Sequence, residues 1–324
     1  MNNINSFTER LVKRLGDYYG CEYSVSESEI NKNNGTVKHA IVIRKKGENI
    51  APSIYIDEFY ERYSEGMLFS EIIADIISIR DMHACKSEFD TSLFKNYENI
   101  REKLRIKLVN RGYNKLILED CPHVPYVDME IVFIITVEDN TFGCGSILIH
   151  NDLFNRWNIS IEKLAYDARE NSIKKYAPHM MDIFDVLAEI YKKNNRKFDC
   201  DNDEEMQGII ENTHIINSDV NKIQVLSSRD RLYGAAVITY PDMLKKIGDS
   251  LQCDYYVLPS SIHEVLIIPA GETEEGSIYT TMVKEVNCAC LAPEEVLSEH
   301  AYKYHRNTNL LEPIYSSSVM EEQQ

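Results

Sequence analysis

Apolar residues recur at helical spacing near the start of the chain. Phe7, Leu11 and Leu15 lie four positions apart, and Ser6 with Glu9 forms a Ser-x-x-Glu capping box. This pattern predicts a helix that buries one stripe of side chains. Similar spacing predicts further helices at 68–80, after Ser160, at 179–193, 241–251 and 277–287, and from 293 onwards.

Alternating or near-continuous apolar segments lie between these helices. They predict strands, because side chains two positions apart share one face of a sheet. Strands interspersed with helices favour an α/β or α+β fold, with mixed sheets and packed helices. The predicted strands are 37–44, 54–56, 105–109, 127–137, 145–150, 222–226, 233–240 and two that flank Ser260 and Ser261.

A shift in composition divides the chain into two lobes. Residues 194–207 are polar and strongly acidic, which is typical of an exposed linker. The predicted parts are an N-terminal α/β lobe at 1–178, a helix with an acidic linker at 179–220, a C-terminal α/β lobe at 221–313 and a disordered tail at 314–324.

Two separate segments look alike. Residues 145–154 (GSILIHNDLF) and 235–244 (AAVITYPDML) each combine small residues, an apolar strand pattern and a helix entry. Aspartate occupies the matched positions Asp152 and Asp242. A duplicated strand–helix unit explains this likeness, and so does independent use of the residues that commonly join a strand to a helix.

The composition is that of a globular chain with an acidic excess. Of 324 residues, 44% are hydrophobic and 27% are charged, and the formal net charge is −17. Direct nucleic-acid binding is not expected, because it needs a basic footprint, whereas a protein partner with a basic surface suits this charge.

The sequence also favours a cytoplasmic protein without membrane association. No apolar run reaches the roughly 20 residues of a membrane span, and no secretory signal is seen near Met1. The eight cysteines are scattered, as is typical of reduced thiols.

Four segments carry a family resemblance. They are IAPSIYIDEFYERYSEG from Ile50, ILIHNDLFNRW from Ile147, RLYGAAVITYPDMLKKIGDSLQCDYYVLPSSIHEVLIIP from Arg231, and APEEVLSEHAY from Ala292. With these segments in this order, residues 7–313 resemble an uncharacterised family of intestinal Firmicutes proteins, the domain of unknown function numbered 5688. The resemblance implies no activity, because none is established for that family.

The first catalytic candidates lie in a Pro-Ser-Ser-Ile-His-Glu segment. His263 and Glu264 could serve as general acid and base, with Ser261 as nucleophile. Neither H-E-x-x-H nor G-x-S-x-G surrounds them, and neighbouring residues of a strand point to opposite faces. A hairpin turn with His263 hydrogen-bonded at a strand edge is the structural alternative.

His150 is a further catalytic candidate. It ends a predicted strand, which is where α/β proteins tend to place ligand-binding groups. The residues that follow, Asn151 and Asp152, are explained by an N-cap without any function. A purely structural role for the segment is therefore the alternative.

Tyrosine supplies the binding candidates. The chain has 20 tyrosines, a residue type that is favoured at protein interfaces. Tyr60 and Tyr63 lie in a segment that would present an aromatic and acidic face as a helix, and Tyr233 and Asp242 are the other candidates. The alternative is that the tyrosines cover a sheet.

Cofactor and metal motifs are absent from the sequence. Neither G-x-G-x-x-G nor Gly-Lys-Ser/Thr occurs, and Cys288 and Cys290 are too close for the usual zinc spacing. The acidic alternation at 199–203 lacks the glycine and the final glutamate of a calcium loop. We therefore expect neither a cofactor nor a metal.

Three functional hypotheses from different classes follow. The first is a non-enzymatic protein-binding or regulatory factor, favoured by the acidity and the tyrosines. The second is a hydrolase, which requires His150 and the His263–Glu264 pair to share one pocket. The third is an acidic mimic of nucleic acid, which requires rows of carboxylates on the surface.

Overall fold

The computed structural model describes residues 3–48, 51–82, 91–139, 143–195, 223–271 and 276–315. The predicted acidic linker beyond residue 195 and the tail from 316 lie outside these ranges. The described helices are α1 (Ile4–Tyr19), α2 (Asp57–Ser64), α3 (Phe69–Met82), α4 (Tyr97–Ile100), α5 (Lys115–Glu119), α6 (Asn151–Trp157), α7 (Ile161–Lys175), α8 (Ile183–Asn195), α9 (Met243–Leu251) and α10 (Ser277–Cys290).

Strands alternate with these helices along the chain. They are β1 (Tyr23–Asn31), β2 (Val37–Lys45), β3 (Ser53–Tyr55), β4 (Leu104–Asn110), β5 (His123–Tyr126), β6 (Met129–Asp139), β7 (Gly143–Leu148), β8 (Pro178–Asp182), β9 (Gln224–Ser228), β10 (Tyr255–Pro259), β11 (Glu264–Pro269), β12 (Ala301–His305) and β13 (Leu310–Ile314). Short 3₁₀ helices include Gly234–Thr239 and Pro293–Glu295.

Contacts along the chain define two compact units. Unit 1 is Met1–Ile100 with Ile135–Ile147, and unit 2 is Arg101–Ile134 with Leu148–Gln324. Unit 1 therefore includes the second part of β6 and most of β7. The lobes predicted from composition stay a prediction.

Unit 1 is built on the antiparallel sheet β1-β2-β3. The stripe of α1 packs with apolar residues of β2, β3, α2 and α3 into one core, as the spacing predicts. Helix α1 begins earlier than the predicted capping box, because the Asn3 side chain accepts the backbone N–H of Ser6 at 2.9 Å. The buried members of the core are Phe7, Leu11, Leu15, Ile41, Ile43, Ile54, Ile56, Phe59, Ile72 and Ile76.

Unit 2 holds a six-stranded sheet of order β13-β12-β10-β11-β9-β8, whose described pairings are antiparallel. Helix α10 covers one face, where Val283 packs with Tyr256, Leu258, Ile268 and Ala301. A second sheet contains β4, the first part of β6, and β5. Helix α7 packs along β4, and the Ser172 hydroxyl accepts the backbone N–H of Ile106 at 3.1 Å.

The predicted mixture of helices and strands is confirmed. Antiparallel sheets place the fold in the α+β class, since parallel βαβ units define the α/β class. No described helix is both long enough and apolar enough to span a membrane.

One predicted strand is wrong. Residues 233–240 alternate like a strand, yet Gly234–Thr239 forms a 3₁₀ helix that packs on β9. Both edges of β9 are already paired, with β8 and with β11, so this segment finds no free edge there. The repeated strand–helix unit is therefore not formed, because the first of the two similar segments is a strand followed by a helix, whereas the second is a 3₁₀ helix followed by a helix.

The start of the helix predicted at 179–193 is also wrong. Residues 178–182 form strand β8, which pairs with β9 across a long separation in sequence, and α8 begins only at Ile183. The helix predicted from residue 293 is limited to the short 3₁₀ turn Pro293–Glu295.

Candidate functional site

The β10–β11 hairpin holds three of the predicted catalytic residues, Ser261 and His263 in the turn and Glu264 at the start of β11. The backbone N–H groups of Ser260 and Ser261 both donate to the carbonyl oxygen of Glu264, each at 3.2 Å. The Ser261 hydroxyl accepts the backbone N–H of His263 at 3.0 Å. The serine oxygen therefore fixes the turn, a common use of serine in loops.

The ring of His263 packs against Tyr233. Its Nδ1 accepts the backbone N–H of Tyr233 at 3.1 Å, and the two ring centres are 5.6 Å apart. Its Nε2 lies 3.8 Å from a carboxylate oxygen of Glu295. Because Nδ1 is an acceptor, the proton of the neutral imidazole sits on Nε2.

The surroundings of His263 favour this neutral form. Burial lowers the pKa of His263; the nearby Glu295 opposes the effect, while Lys107 and Arg105 add to it. Desolvation penalises the charged state of a histidine, so a buried ring holds its proton less tightly.

Glu264 is the next residue but has separate neighbours. Burial raises the pKa of its carboxyl, and Arg231 and the Ser260 hydroxyl act in the opposite direction. Within the described residues, no hydrogen bond or ion pair joins the Glu264 and His263 side chains, or the Ser261 hydroxyl and the imidazole. A serine nucleophile needs such a contact with its base.

A buried arginine, not noticed from the sequence, fixes the loop that carries Tyr233. Nη1 and Nη2 of Arg105 donate to the two carboxylate oxygens of Asp230 at 2.6 and 3.1 Å. The guanidinium carbon lies 3.6 Å from the ring centre of Tyr176. Arg105 is only 3% exposed, and an arginine inside the apolar strand β4 is the sequence signal for this contact.

The Arg105–Asp230 pair is charge-assisted. Burial would raise the pKa of Asp230, but hydrogen bonds from Arg105 and Ser228 outweigh it and hold the pKa below its ordinary value.

The loop that follows is strained, since Arg231 and Tyr233 both have positive φ, at 55° and 53°. Such left-handed positions cost of the order of 1 kcal/mol for residues with side chains.

His150 belongs to a different set of contacts. Its Nδ1 lies 2.8 Å from Oδ2 of Asp120, and both side chains are more than half exposed. His150 is the N-cap residue of α6, one position before the predicted cap, and its side chain makes no capping bond. The tendency of ligand sites to lie at the ends of strands concerns parallel sheets. In this fold, the position of His150 after a strand therefore does not indicate a ligand site.

The remaining binding candidates lie in three environments. Tyr60 and Tyr63 pack on the unit 1 core, with ring centres 5.4 and 5.0 Å from that of Phe7. Tyr233 stacks on His263. Asp242 is exposed, has a φ of 56° and directly precedes helix α9.

Unit 1 contains a polar recess that the sequence analysis missed. We call it the acidic recess, and its volume is about 390 Å³. Two of its carboxylates lie two positions apart on β1 and therefore share a face of the sheet. The lining residues are Asn5, Thr8, Glu9, Glu27, Ser28, Glu29, His39 and Ala40.

The described lining of the acidic recess contains no lysine or arginine beside its carboxylates. Glu9, Glu27 and Glu29 are exposed, and within the described residues none of them forms an ion pair or a side-chain hydrogen bond. His39 lies opposite Glu29 in the β1–β2 register, so it adds an imidazole to the same face. The described residues include no cluster of three or more His, Cys, Asp or Glu arranged to hold a metal ion.

Fold and sites together define an acidic α+β protein with a carboxylate-lined recess and a histidine turn. The chain belongs to the Family of unknown function (DUF5688), whose model matches residues 4–306. The acidic recess and the His263 turn both lie within the matched part. No curated protein and no solved structure matches the chain.

Proposed function

We propose that this protein binds another protein, and that the acidic recess of unit 1 receives a lysine or arginine side chain of a basic partner. The single observation that carries the proposal is that three carboxylates, Glu9, Glu27 and Glu29, line one recess and form no ion pair within the described residues. Like charges held together repel each other, and a cation bound among them relieves that repulsion.

The net charge supports a basic partner over other ligands. At −17, the chain attracts positively charged surfaces from a distance and raises their rate of association. The carboxylates then act at short range, since charge-assisted hydrogen bonds to an ammonium or guanidinium group are roughly twice as strong as neutral ones.

The hydrolase alternative receives less support from the geometry. Ser261 and His263 are both used to close a hairpin, and His150 pairs with Asp120 away from their hydrogen bonds. The nucleic-acid mimic needs extended rows of carboxylates, whereas Glu9, Glu27 and Glu29 converge on one recess.

The test is affinity purification of the tagged protein from its host lysate, followed by mass spectrometry. We expect a stoichiometric basic protein to be recovered with the unaltered chain. The double variant Glu27→Gln/Glu29→Gln should bind the purified partner at least tenfold more weakly in calorimetry, a loss of about 1.4 kcal/mol or more.

Glu61→Gln/Glu65→Gln is the matched control, because it removes the same charge from exposed residues of unit 1 outside the recess. Equal affinity of both double variants would contradict the recess as the binding site. A chain recovered without partner, with a hydrolytic activity that His263→Ala abolishes, would favour the alternative.

A further inference from the structure

Unit 2 contains a cleft of about 600 Å³ that lies outside the acidic recess and the histidine turn. It is formed by the end of β5, the end of the 3₁₀ helix Gly234–Thr239, the start of α9 and the β12–β13 hairpin. Its volume is within the range of small-molecule sites, which are typically 300–1,000 Å³.

The cleft contains several residues in the left-handed region of backbone conformation. Three lining residues from three different segments, Val127, Asp242 and Asn309, have positive φ, each of 56°. Asparagine and aspartate tolerate this conformation, but a β-branched residue there is a genuine outlier. Strain of this kind collects at ligand-binding sites, because folding alone does not select for it.

Val127 is the informative residue. The pairing of Tyr126 with Met129 leaves Val127 and Asp128 as a two-residue hairpin loop, where glycine or asparagine is favoured at positive φ. The valine side chain is 38% exposed and lines the cleft. Neither the turn nor the core requires a valine, so its exposed apolar side chain is available for contact with a bound molecule.

The other cleft residues indicate an apolar ligand body. Leu310 is 54% exposed at the start of β13, and Met243 lies at the start of α9. Together with Val127, they form an apolar rim from three segments of the chain. Apolar side chains with a few polar groups are the usual lining of a small-molecule site.

The charged residues of the cleft indicate which charge its ligand carries. The Lys245 ammonium is paired with Asp249 at 2.5 Å. The exposed Asp242 carboxylate forms no ion pair or side-chain hydrogen bond within the described parts of the chain. The Asp242 carboxylate thus interacts with Lys245 only through longer-range electrostatics, since the Lys245 ammonium is held by Asp249, and it lies beside the apolar rim.

We propose that this cleft binds a small amphipathic amine. The ammonium group pairs with Asp242, and the apolar body packs on Val127, Met243 and Leu310. The inference is independent of the basic protein partner, because the two sites share no residue.

The test uses the full chain labelled with ¹³C at its methionine methyl groups, with n-hexylamine and hexanoate as probes at neutral pH. We expect hexylamine to shift the Met243 methyl signal in a saturable way and to leave the exposed Met282 unchanged. Hexanoate has the same length and the opposite charge, so it should give no saturable shift. Equal responses to both probes, or a shift at Met282 as large as at Met243, would overturn the proposal.

Two substitutions separate binding from folding. Asp242→Asn keeps a residue that tolerates the left-handed backbone and should weaken hexylamine binding at least tenfold. Val127→Asn should raise the melting temperature by about 2–4 °C, by relieving the strained turn, and yet weaken binding. Val286→Asn, the same change at an exposed site on α10, should leave binding unaltered. Unchanged affinity in both cleft variants would refute the site.

Discussion

His263 and Glu264 are neighbours whose protonation is shifted in opposite directions by the same cause. Burial disfavours charge, so it lowers the pKa of the histidine and raises that of the carboxyl. Both shifts act on stability, because the unfolded chain titrates near the ordinary values of about 6.5 and 4.3. Through these two residues, the stability of the β10–β11 hairpin therefore depends on pH.

The substitution His263→Gln should flatten the dependence of stability on pH. The folded-state pKa of His263 lies below the unfolded value, so the unfolded chain binds the proton first as the pH falls. The stability that neutral His263 contributes is complete above pH ~6.5 and is lost as the pH falls below it. Glutamine keeps an acceptor for the Tyr233 N–H. The free energy of unfolding between pH 5 and 8, from urea titrations, should fall less steeply for the variant.

Glu264→Gln provides the control of opposite sign. The folded-state pKa of Glu264 is raised, so its contribution is present at low pH and is lost as the pH rises through that value. This variant should therefore gain stability relative to the unaltered chain as the pH rises. Parallel curves for all three proteins would contradict burial as the cause of both shifts.

At the scale of the elements, local patterns located most helices but not all strands. The apolar stripes of α1 and α3 can be predicted from the sequence, because contacts along a helix face are made between residues three and four positions apart. Strand β8 was missed because its partner β9 begins 42 positions after β8 ends, from Asp182 to Gln224. The alternation of residues 233–240 predicts a strand, but the pairing that occupies both edges of β9 cannot be deduced from the sequence, and Gly234–Thr239 forms a 3₁₀ helix.

Gly234 is the residue that lets this 3₁₀ helix approach β9. A Cβ atom there would lie 2.4 Å from the backbone nitrogen of Ser228 and 2.5 Å from the carbonyl oxygen of His263. Backbone atoms of a sheet cannot move aside as a flexible side chain can. We therefore expect Gly234→Ala to destabilise unit 2 by about 3 kcal/mol or more in chemical unfolding.

Gly16→Ala is the contrasting substitution. Gly16 lies inside helix α1, and a Cβ atom there meets nothing within 4 Å. Removing a glycine from a helix interior should stabilise the chain by about 0.5–1 kcal/mol. If both alanine variants changed stability in the same direction, the close approach at Gly234 would not be the limiting contact.

For the whole molecule, periodicity along the chain predicted the mixture of helices and strands but could not locate the acidic recess. Glu9, Glu27, Glu29 and His39 are spread over 31 positions, from 9 to 39, and meet only because α1 packs along β1. Strand β1 itself was missed, since SVSESE shows no apolar face. The net charge follows from composition and does not depend on tertiary contacts. The expectation of a basic partner could therefore be drawn from the sequence alone.

Binding of a basic partner should weaken steeply with salt, mainly through the rate of association. A charge of −17 acts at long range, and the screening length falls from about 10 Å at 0.1 M salt to about 3 Å at 1 M. We expect the association rate constant to fall at least tenfold between 0.05 and 0.5 M salt in stopped-flow measurements, while the dissociation rate changes less. Glu27→Gln/Glu29→Gln should chiefly accelerate dissociation, because it removes short-range contacts and leaves most of the net charge in place. An association rate independent of salt would exclude electrostatic attraction and, with it, the basic partner.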